Sequence, residues 1–138
     1  MILKVILILI NLPVISQDKF IGSVERLSPE IDNLIEKSAK IEILADGFEW
    51  SEGPVWSSQL NSVLFSDVPE NVIYSWNEDE GLGTFTRPIG YSGKVPNLKK
   101  AGTNGLTIDA DGNLIICMHG DRKITRLEKL NINRKVTL

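Results

Sequence analysis

Short apolar and alternating runs, separated by turn residues, make up most of the chain after residue 40. The β-prone runs are 40–44, 63–65, 72–76, 84–86, 106–108, 114–117 and 124–127. Segments rich in Gly, Pro, Asn and Asp lie between these runs, and no helix-length periodic segment alternates with them. The pattern therefore predicts an antiparallel, all-β region.

One helix is predicted ahead of the strands. Ser28 is a favourable N-cap, and the proline and the acidic residue that follow it suit the first helical turn. A helix of two or three turns that ends before Ala39 is expected, because three apolar residues then share one helix face. These residues are Ile31, Leu34 and Ile35.

The chain also contains an internal repeat. Sliding the sequence along itself by 52 positions places Gly53 on Gly105 and Val72 on Ile124. Repeats of roughly 40 to 50 residues with about four strands each are typical of β-propeller blades. Two blades cannot close a ring, so the sequence is expected to be the N-terminal piece of a longer propeller.

This repeat assigns positions to several polar residues. The innermost strand of a propeller blade lines the central channel, so Glu52 and Asn104, at the starts of equivalent strands, are expected to converge near the axis. The same 52-residue shift relates Asp67 to His119, which end the second strands and could face the same opening.

Glu52 is an unusual position for a charge, since Trp50, Pro54 and Trp56 surround it. A buried glutamate is normally paired or bound to a metal. Two interpretations follow: a metal ligand at the inner end of a strand, or a solvent-facing glutamate at a turn or sheet edge.

The first sixteen residues have the features of a secretory signal peptide: one basic residue, Lys4, then an apolar run, then the small residue Ser16. The apolar run is shorter than the roughly 18 to 20 residues that span a bilayer, so no stable membrane anchor is expected, although an anchor is the alternative. A secreted or periplasmic protein is predicted. The mature chain would carry 14 basic and 18 acidic residues, a formal charge of −4, and no basic cluster that would indicate nucleic-acid binding.

Two other features have structural interpretations. Cys117 is the single cysteine, so it forms no intramolecular disulfide, and its apolar run predicts a buried side chain. The run from Asp109 to Asn113 imitates the start of an EF-hand loop. It lacks the glycine at the sixth place, which is Leu114, and the glutamate at the twelfth, which is Gly120, so a hairpin turn is predicted.

The chain resembles the gluconolactonase, regucalcin and luciferin-regenerating enzyme family, most closely its bacterial gluconolactonase branch. The resemblance covers about residues 27–130 and rests on Ser28-Pro29 and on segments 45–56, 64–76, 87–93 and 102–128. It implies a six-bladed β-propeller with a divalent metal, often calcium, in the central channel. It also implies hydrolysis of a sugar lactone to the aldonic acid.

Individual residues match the family's motifs. Glu52 matches the first metal-ligating glutamate, and Asn104 matches an asparagine that helps to hold substrate or a bound water. His119 matches the histidine of a Cys-x-His-Gly motif beside the pocket, although Met118 stands where an acidic residue is frequent. By the same resemblance the remaining ligands and the general base lie beyond residue 138, so this chain alone is expected to be inactive.

The sequence is thus divided into a signal peptide at 1–16, an extension with a short helix at 17–39, and two propeller blades at 40–138. The leading function is an exported, metal-dependent lactonase. The alternatives are a non-catalytic propeller that binds a sugar or a partner, and an esterase of broader range. A Ser-His-Asp hydrolase is not supported, because the chain has one histidine and no nucleophile-elbow motif. The tryptophans Trp50, Trp56 and Trp76 are expected to pack between blades.

Overall fold

The computed structural model describes residues 20–93 and 102–128. The chain divides into two compact units, Met1–Leu44 and Ala45–Leu138. The predicted signal peptide at 1–16 lies outside the described residues. None of the described residues forms a helix long and apolar enough to cross a membrane.

The first unit contains a single turn of helix rather than the longer helix that was predicted. A 3₁₀-helix spans Pro29–Asn33, and the Ser28 hydroxyl accepts a hydrogen bond from the Glu30 amide, so the predicted start is confirmed. The predicted length is wrong. Leu34 is 81% exposed and no residue of the helix is buried, so there is no apolar burial to stabilise further turns.

The strand predicted at 40–44 is also absent. Glu42 forms only an isolated antiparallel bridge with Phe20, supported by a hydrogen bond of 2.9 Å from the Ile21 amide to the Ile41 carbonyl. Alternation of polar and apolar residues gave the wrong result here because a strand also needs a continuous partner, and this segment has one short contact.

The second unit is built from two antiparallel sheets, which confirms the all-β prediction. In sheet 1 the strands lie in the order β1 (Ser51–Ser57), β2 (Ser62–Asp67), β3 (Val72–Asn77) and β4 (Gly81–Thr86). In sheet 2 they lie in the order β5 (Thr103–Ile108), β6 (Leu114–Met118) and β7 (Lys123–Leu127). Each strand pairs with the next in sequence, so both sheets are simple meanders.

The hydrophobic core lies between the two sheets. Its fully or nearly fully buried members are Leu64 and Ile73 from sheet 1 and Leu114, Ile116 and Met118 from sheet 2. Successive strand residues point to opposite faces, so β6 buries every second side chain. Cys117 is consequently exposed, and the prediction that it belongs to the core is wrong.

The faces of the sheets that point away from this core are partly apolar. We call the set Trp56, Val63, Phe65, Tyr74, Trp76 and Leu82 the outer face of sheet 1; cross-strand pairing places these residues on one side. Ile115, Cys117, Ile124 and Arg126 form the outer face of sheet 2. Trp56 is 53% exposed, so within the described residues it does not pack between the sheets as expected.

Strand pairing shows that the 52-residue repeat changes register within the second repeat. Ser51 pairs with Asp67, whereas Thr103, 52 residues after Ser51, pairs with Met118. The first strands of the two sheets are therefore related by 52 residues, but the second strands are related by 51. The structural counterpart of Asp67 is Met118 rather than His119, which corrects the relation inferred from the sequence.

A shorter hairpin accounts for this change. Four residues separate the paired Ser57 and Ser62 in sheet 1, but only three separate the corresponding Asp109 and Asn113. The Asp109 carboxylate accepts hydrogen bonds from the amides of Asp111 and Asn113, which closes the tight turn. This segment is therefore a hairpin turn, as predicted, and its carboxylate is occupied by its own backbone.

Candidate functional site

The two strands that were predicted to line a channel begin side by side. Gly53 in β1 has a φ of 58°, and a Cβ at this position would lie 2.7 Å from both the Asn104 carbonyl oxygen and the Leu106 amide nitrogen. Only glycine permits so close an approach between the backbones of β1 and β5. Glu52 and Asn104, one residue from this contact or within it, are thereby brought to neighbouring strand starts.

A buried pair of hydroxyl groups holds the start of β5 against sheet 1. Thr103 Oγ1 donates to Ser66 Oγ at 2.7 Å, and Ser66 Oγ donates to the Asn104 carbonyl at 2.8 Å. Both hydroxyl residues are fully buried, and Ser66 is the cross-strand partner of Glu52. The position of Asn104 relative to Glu52 is thus fixed by two satisfied polar groups, which would be costly to bury without each other.

The Glu52 side chain is partly buried and accepts a hydrogen bond of 3.0 Å from Trp50 Nε1 on one carboxylate oxygen. This contact orients the carboxyl group without neutralising it. The other oxygen and the remaining lone pairs stay available to a ligand. The indole of Trp50 therefore acts as an orienting donor for Glu52, a contact that the expectation of simple interblade packing missed.

Asp67 serves the backbone. Its side chain is 1% exposed, and its two carboxylate oxygens accept hydrogen bonds of 3.0 and 3.1 Å from the amides of Glu49 and Trp50. A carboxylate bonded in this way fastens the segment that leads into β1. Asp67 therefore positions Glu52 indirectly.

His119 lies at the same end of the sheets as the two strand starts. Its amide donates to the Gly102 carbonyl at 3.1 Å, and the Gly102 amide donates to the Val68 carbonyl at 3.0 Å. The Val68 amide in turn donates to the Trp50 carbonyl at 3.1 Å. This series of backbone bonds joins the entry to β1 with the end of β6, and it leaves the His119 side chain exposed.

A loop that sequence reasoning did not assign to the site also reaches this end. The Asp121 amide donates to the Gly90 carbonyl, and the Asp121 carboxylate accepts from the amide and hydroxyl of Ser92. The Ser92 amide is the main cause of a lowered pKa at Asp121, with Lys123 contributing. A serine and an aspartate 29 residues apart give no recognisable motif, so only the fold reveals this pairing.

The acidic and histidine residues do not form a complete metal site by themselves. Among the residues that the structure describes, no group of three or more His, Cys, Asp or Glu side chains converges. Calcium takes six to eight oxygen ligands. Glu52 and Asn104 offer oxygen atoms of the right kind, but the described part of the chain supplies only a fraction of the number required.

Comparison with known proteins identifies the relatives of this chain. The family model described as SMP-30/Gluconolactonase/LRE-like region matches residues 50–136. A gluconolactonase from Zymomonas mobilis is 33% identical over 120 residues, which cover 86% of this chain and 34% of that protein. The chain thus spans about a third of the length of this curated relative.

Two solved structures give the same result. A gluconolactonase from Xanthomonas campestris matches with a TM-score of 0.54 and 31% identity, over 65% of this chain and 27% of that one. A protein named as a candidate gluconolactonase matches with a TM-score of 0.51 and 35% identity, over 62% of this chain and 26% of its own. On the sequence match and the shared sheets together, the chain belongs to the SMP-30/gluconolactonase/LRE-like family.

Proposed function

We propose that this chain supplies the first two blades, and the Glu52 side of a divalent-cation site, in a six-bladed enzyme that hydrolyses a sugar lactone. The observation that carries the proposal is the contact of Gly53 with the backbone of β5, which brings Glu52 and Asn104 to adjacent strand starts. The match to gluconolactonases supports the reaction class.

The residues of this chain have distinct parts in the proposed reaction. A bound calcium ion supplies Lewis-acid polarisation of the lactone carbonyl and lowers the pKa of a bound water. Glu52, oriented by Trp50, would be one ligand of that ion. Asn104 would contribute its amide to the substrate or to a bound water, and His119 would line the outer part of the pocket. The other ligands and the general base would come from further blades.

A chimera provides the direct test. The matching residues of this chain would replace those of the Zymomonas mobilis gluconolactonase, and hydrolysis of gluconolactone and calcium binding would be measured. Glu52→Gln in the chimera should lower kcat/KM by about a hundredfold or more, because it removes a charged ligand while preserving its size. Glu49→Gln, which alters an exposed glutamate three residues away, is the matched control.

Calorimetry separates the metal from the reaction. If Glu52→Gln and the parent chimera bind calcium equally, Glu52 is not a ligand and the metal assignment is wrong. If the parent chimera folds and binds lactone without hydrolysing it, the non-catalytic binding propeller replaces the enzyme. The 138-residue chain by itself should not accelerate hydrolysis above the spontaneous rate.

The proposed function includes export, with cleavage after Ser16. The basic residue, apolar run and small residue of 1–16 support this. Mass spectrometry of protein recovered from the envelope or medium of the producing cell should show a chain that begins at Gln17. An intact N-terminus recovered from the membrane would favour an anchor instead.

A further inference from the structure

The contact between the two sheets joins unlike faces. The side of sheet 1 that carries Leu64 and Ser66 packs on the side of sheet 2 that carries Ile116 and Met118. Under the 51-residue relation of the second strands, Leu64 corresponds to Ile115 and Ser66 corresponds to Cys117. These counterparts lie on the outer face of sheet 2, and Cys117 is exposed.

The same relation holds in the other direction. The buried residues Leu114 and Ile116 of sheet 2 correspond to Val63 and Phe65, which belong to the outer face of sheet 1. Each outer face is therefore the counterpart of a face already used in the contact between the sheets. The chain carries both halves of its own internal interface a second time, one half on each side.

The exposed residues have the chemistry that such an interface requires. On the outer face of sheet 1, Trp56 is 53% and Leu82 is 44% exposed, and on the outer face of sheet 2, Ile124 is 73% exposed. Ile124 is the counterpart of Ile73, which is fully buried between the sheets. Apolar patches of this kind on a folded unit indicate a contact surface.

We infer that the 138-residue chain associates with further copies of itself head to tail, with the outer face of sheet 2 of one copy on the outer face of sheet 1 of the next. This contact is heterologous, because different surfaces meet, and it generates a ring or an open array rather than a two-fold dimer. The inference is independent of the proposed catalytic function, since it rests on the sheet faces alone.

The internal hydroxyl pair predicts one specific contact between copies. Inside the chain, Thr103 Oγ1 lies 2.7 Å from Ser66 Oγ. The counterparts of these two residues are Ser51 and Cys117, which lie on the outward sides of different sheets. In the head-to-tail arrangement, Ser51 of one copy therefore faces Cys117 of the next.

A cysteine at position 51 tests this contact in the full chain. In Ser51→Cys, two thiols of adjacent copies should form one disulfide, with dioxygen accepting the two electrons and two protons under copper(II) catalysis. Cross-linking should exceed that of the control Ser58→Cys by about tenfold, because association raises the effective concentration of the facing thiols. Ser58 is an exposed residue of the β1–β2 turn.

The pattern of products on a non-reducing gel decides the arrangement. A ladder of covalent dimers, trimers and higher species in Ser51→Cys supports head-to-tail contact. Equal cross-linking in both variants overturns the inference. A rapid dimer in the parent chain, whose single thiol is Cys117, also overturns it, because it would show two like faces in contact.

A second variant tests association without cysteine chemistry. Ile124→Asp places a charge on the outer face of sheet 2 at a site already 73% exposed, so the fold should persist while the sedimenting mass falls to that of one chain. Leu27→Asp, at an apolar residue that is 88% exposed in the first unit, should leave the mass unchanged. A parent chain that sediments as a monomer at micromolar concentration contradicts the inference.

Discussion

Sheets 1 and 2 share their backbone connections at the end where β1 and β5 begin, but they fasten this end with different side chains. The Val68 amide bonds to the Trp50 carbonyl in the first sheet, and the His119 amide bonds to the Gly102 carbonyl in the second, both at 3.1 Å. In sheet 1 the buried carboxylate of Asp67 adds two hydrogen bonds to the incoming segment. In sheet 2 the corresponding residue is Met118, which has no carboxylate.

Close packing takes the place of the acid in sheet 2. A Cβ on Gly102 would lie 2.3 Å from the Val68 carbonyl oxygen, so the segment that enters β5 is held directly against the first sheet. The segment that enters β1 has no preceding sheet among the described residues of this unit, and it depends on Asp67. The comparison shows that the backbone arrangement repeats while the means of holding it depends on what lies beside each sheet.

The sharpest way to break this comparison is a methyl group at each of the two repeated glycines. Gly53→Ala should reduce the free energy of unfolding by about 4 kcal/mol, because the new Cβ meets backbone atoms and φ is positive. Gly105→Ala should leave it unchanged or raise it by about 0.5 kcal/mol, since its nearest listed neighbour is Cys117 Sγ at 3.9 Å.

Urea denaturation of both variants checks this prediction. Equal losses at the two positions would show that the close approach of β1 to β5 does not limit the sequence. Gly81→Ala supplies a further control, because its φ is 69° but a Cβ there meets nothing within 4 Å. Its loss should measure backbone strain alone, about 1 to 2 kcal/mol.

Removal of the carboxylate at Asp67 should have the next largest effect. Asp67→Ala leaves the amides of Glu49 and Trp50 without their acceptors and should cost about 2 kcal/mol. Asp67→Asn keeps one acceptor oxygen and should cost less. Amide hydrogen exchange should show faster exchange at residues 49 and 50 in Asp67→Ala, and protection equal to the parent there would contradict the proposed fastening.

The smallest expected effect is a dependence on acid in sheet 2. Hydrogen bonds from Ser92, first its amide and then its hydroxyl, together with Lys123, hold the pKa of Asp121 below its ordinary value of 3.8. The folded state therefore binds this proton less readily than the unfolded state. The resulting stability is present above the ordinary pKa and is lost as the pH falls through the lower, folded pKa.

Denaturation of Asp121→Asn across a series of acidic pH values checks this. The variant should lose less stability than the parent between neutral and acidic pH, because its residue 121 no longer titrates. Asp79→Asn, in the exposed turn before β4, is the surface control. A parent and an Asp121→Asn variant with identical pH profiles would show that the Ser92 contact does not contribute.

Much of the fold could be predicted from the sequence because strand positions depend on local pattern. Turn residues and alternating apolar residues located six strands, and the repeat placed Glu52 beside Asn104 correctly. That relation holds because both residues precede the hairpin that differs in length. After the hairpin the same shift failed by one residue, and a shift of one residue moves a side chain to the other face of a sheet.

The remaining errors have related physical causes. Cys117 was assigned to the core because an apolar run gives no information about which face is covered. The helix after Ser28 was predicted too long because its apolar residues have helical spacing but no surface to pack against. Ser66 and Thr103 could not be recognised as a pair, because their contact depends on two sheets that meet only in the folded chain.

The shortened hairpin has a consequence for the gene as well as for the protein. The turn between β5 and β6 lies at the opposite end of the sheets from Glu52 and Asn104, where Gln59 donates to the Asp111 carbonyl at 3.5 Å. A single codon can be absent there without displacing either strand start. Every later residue of the repeat then changes its numerical phase, so variant libraries designed from an ungapped alignment of the two repeats would randomise the wrong face of β6.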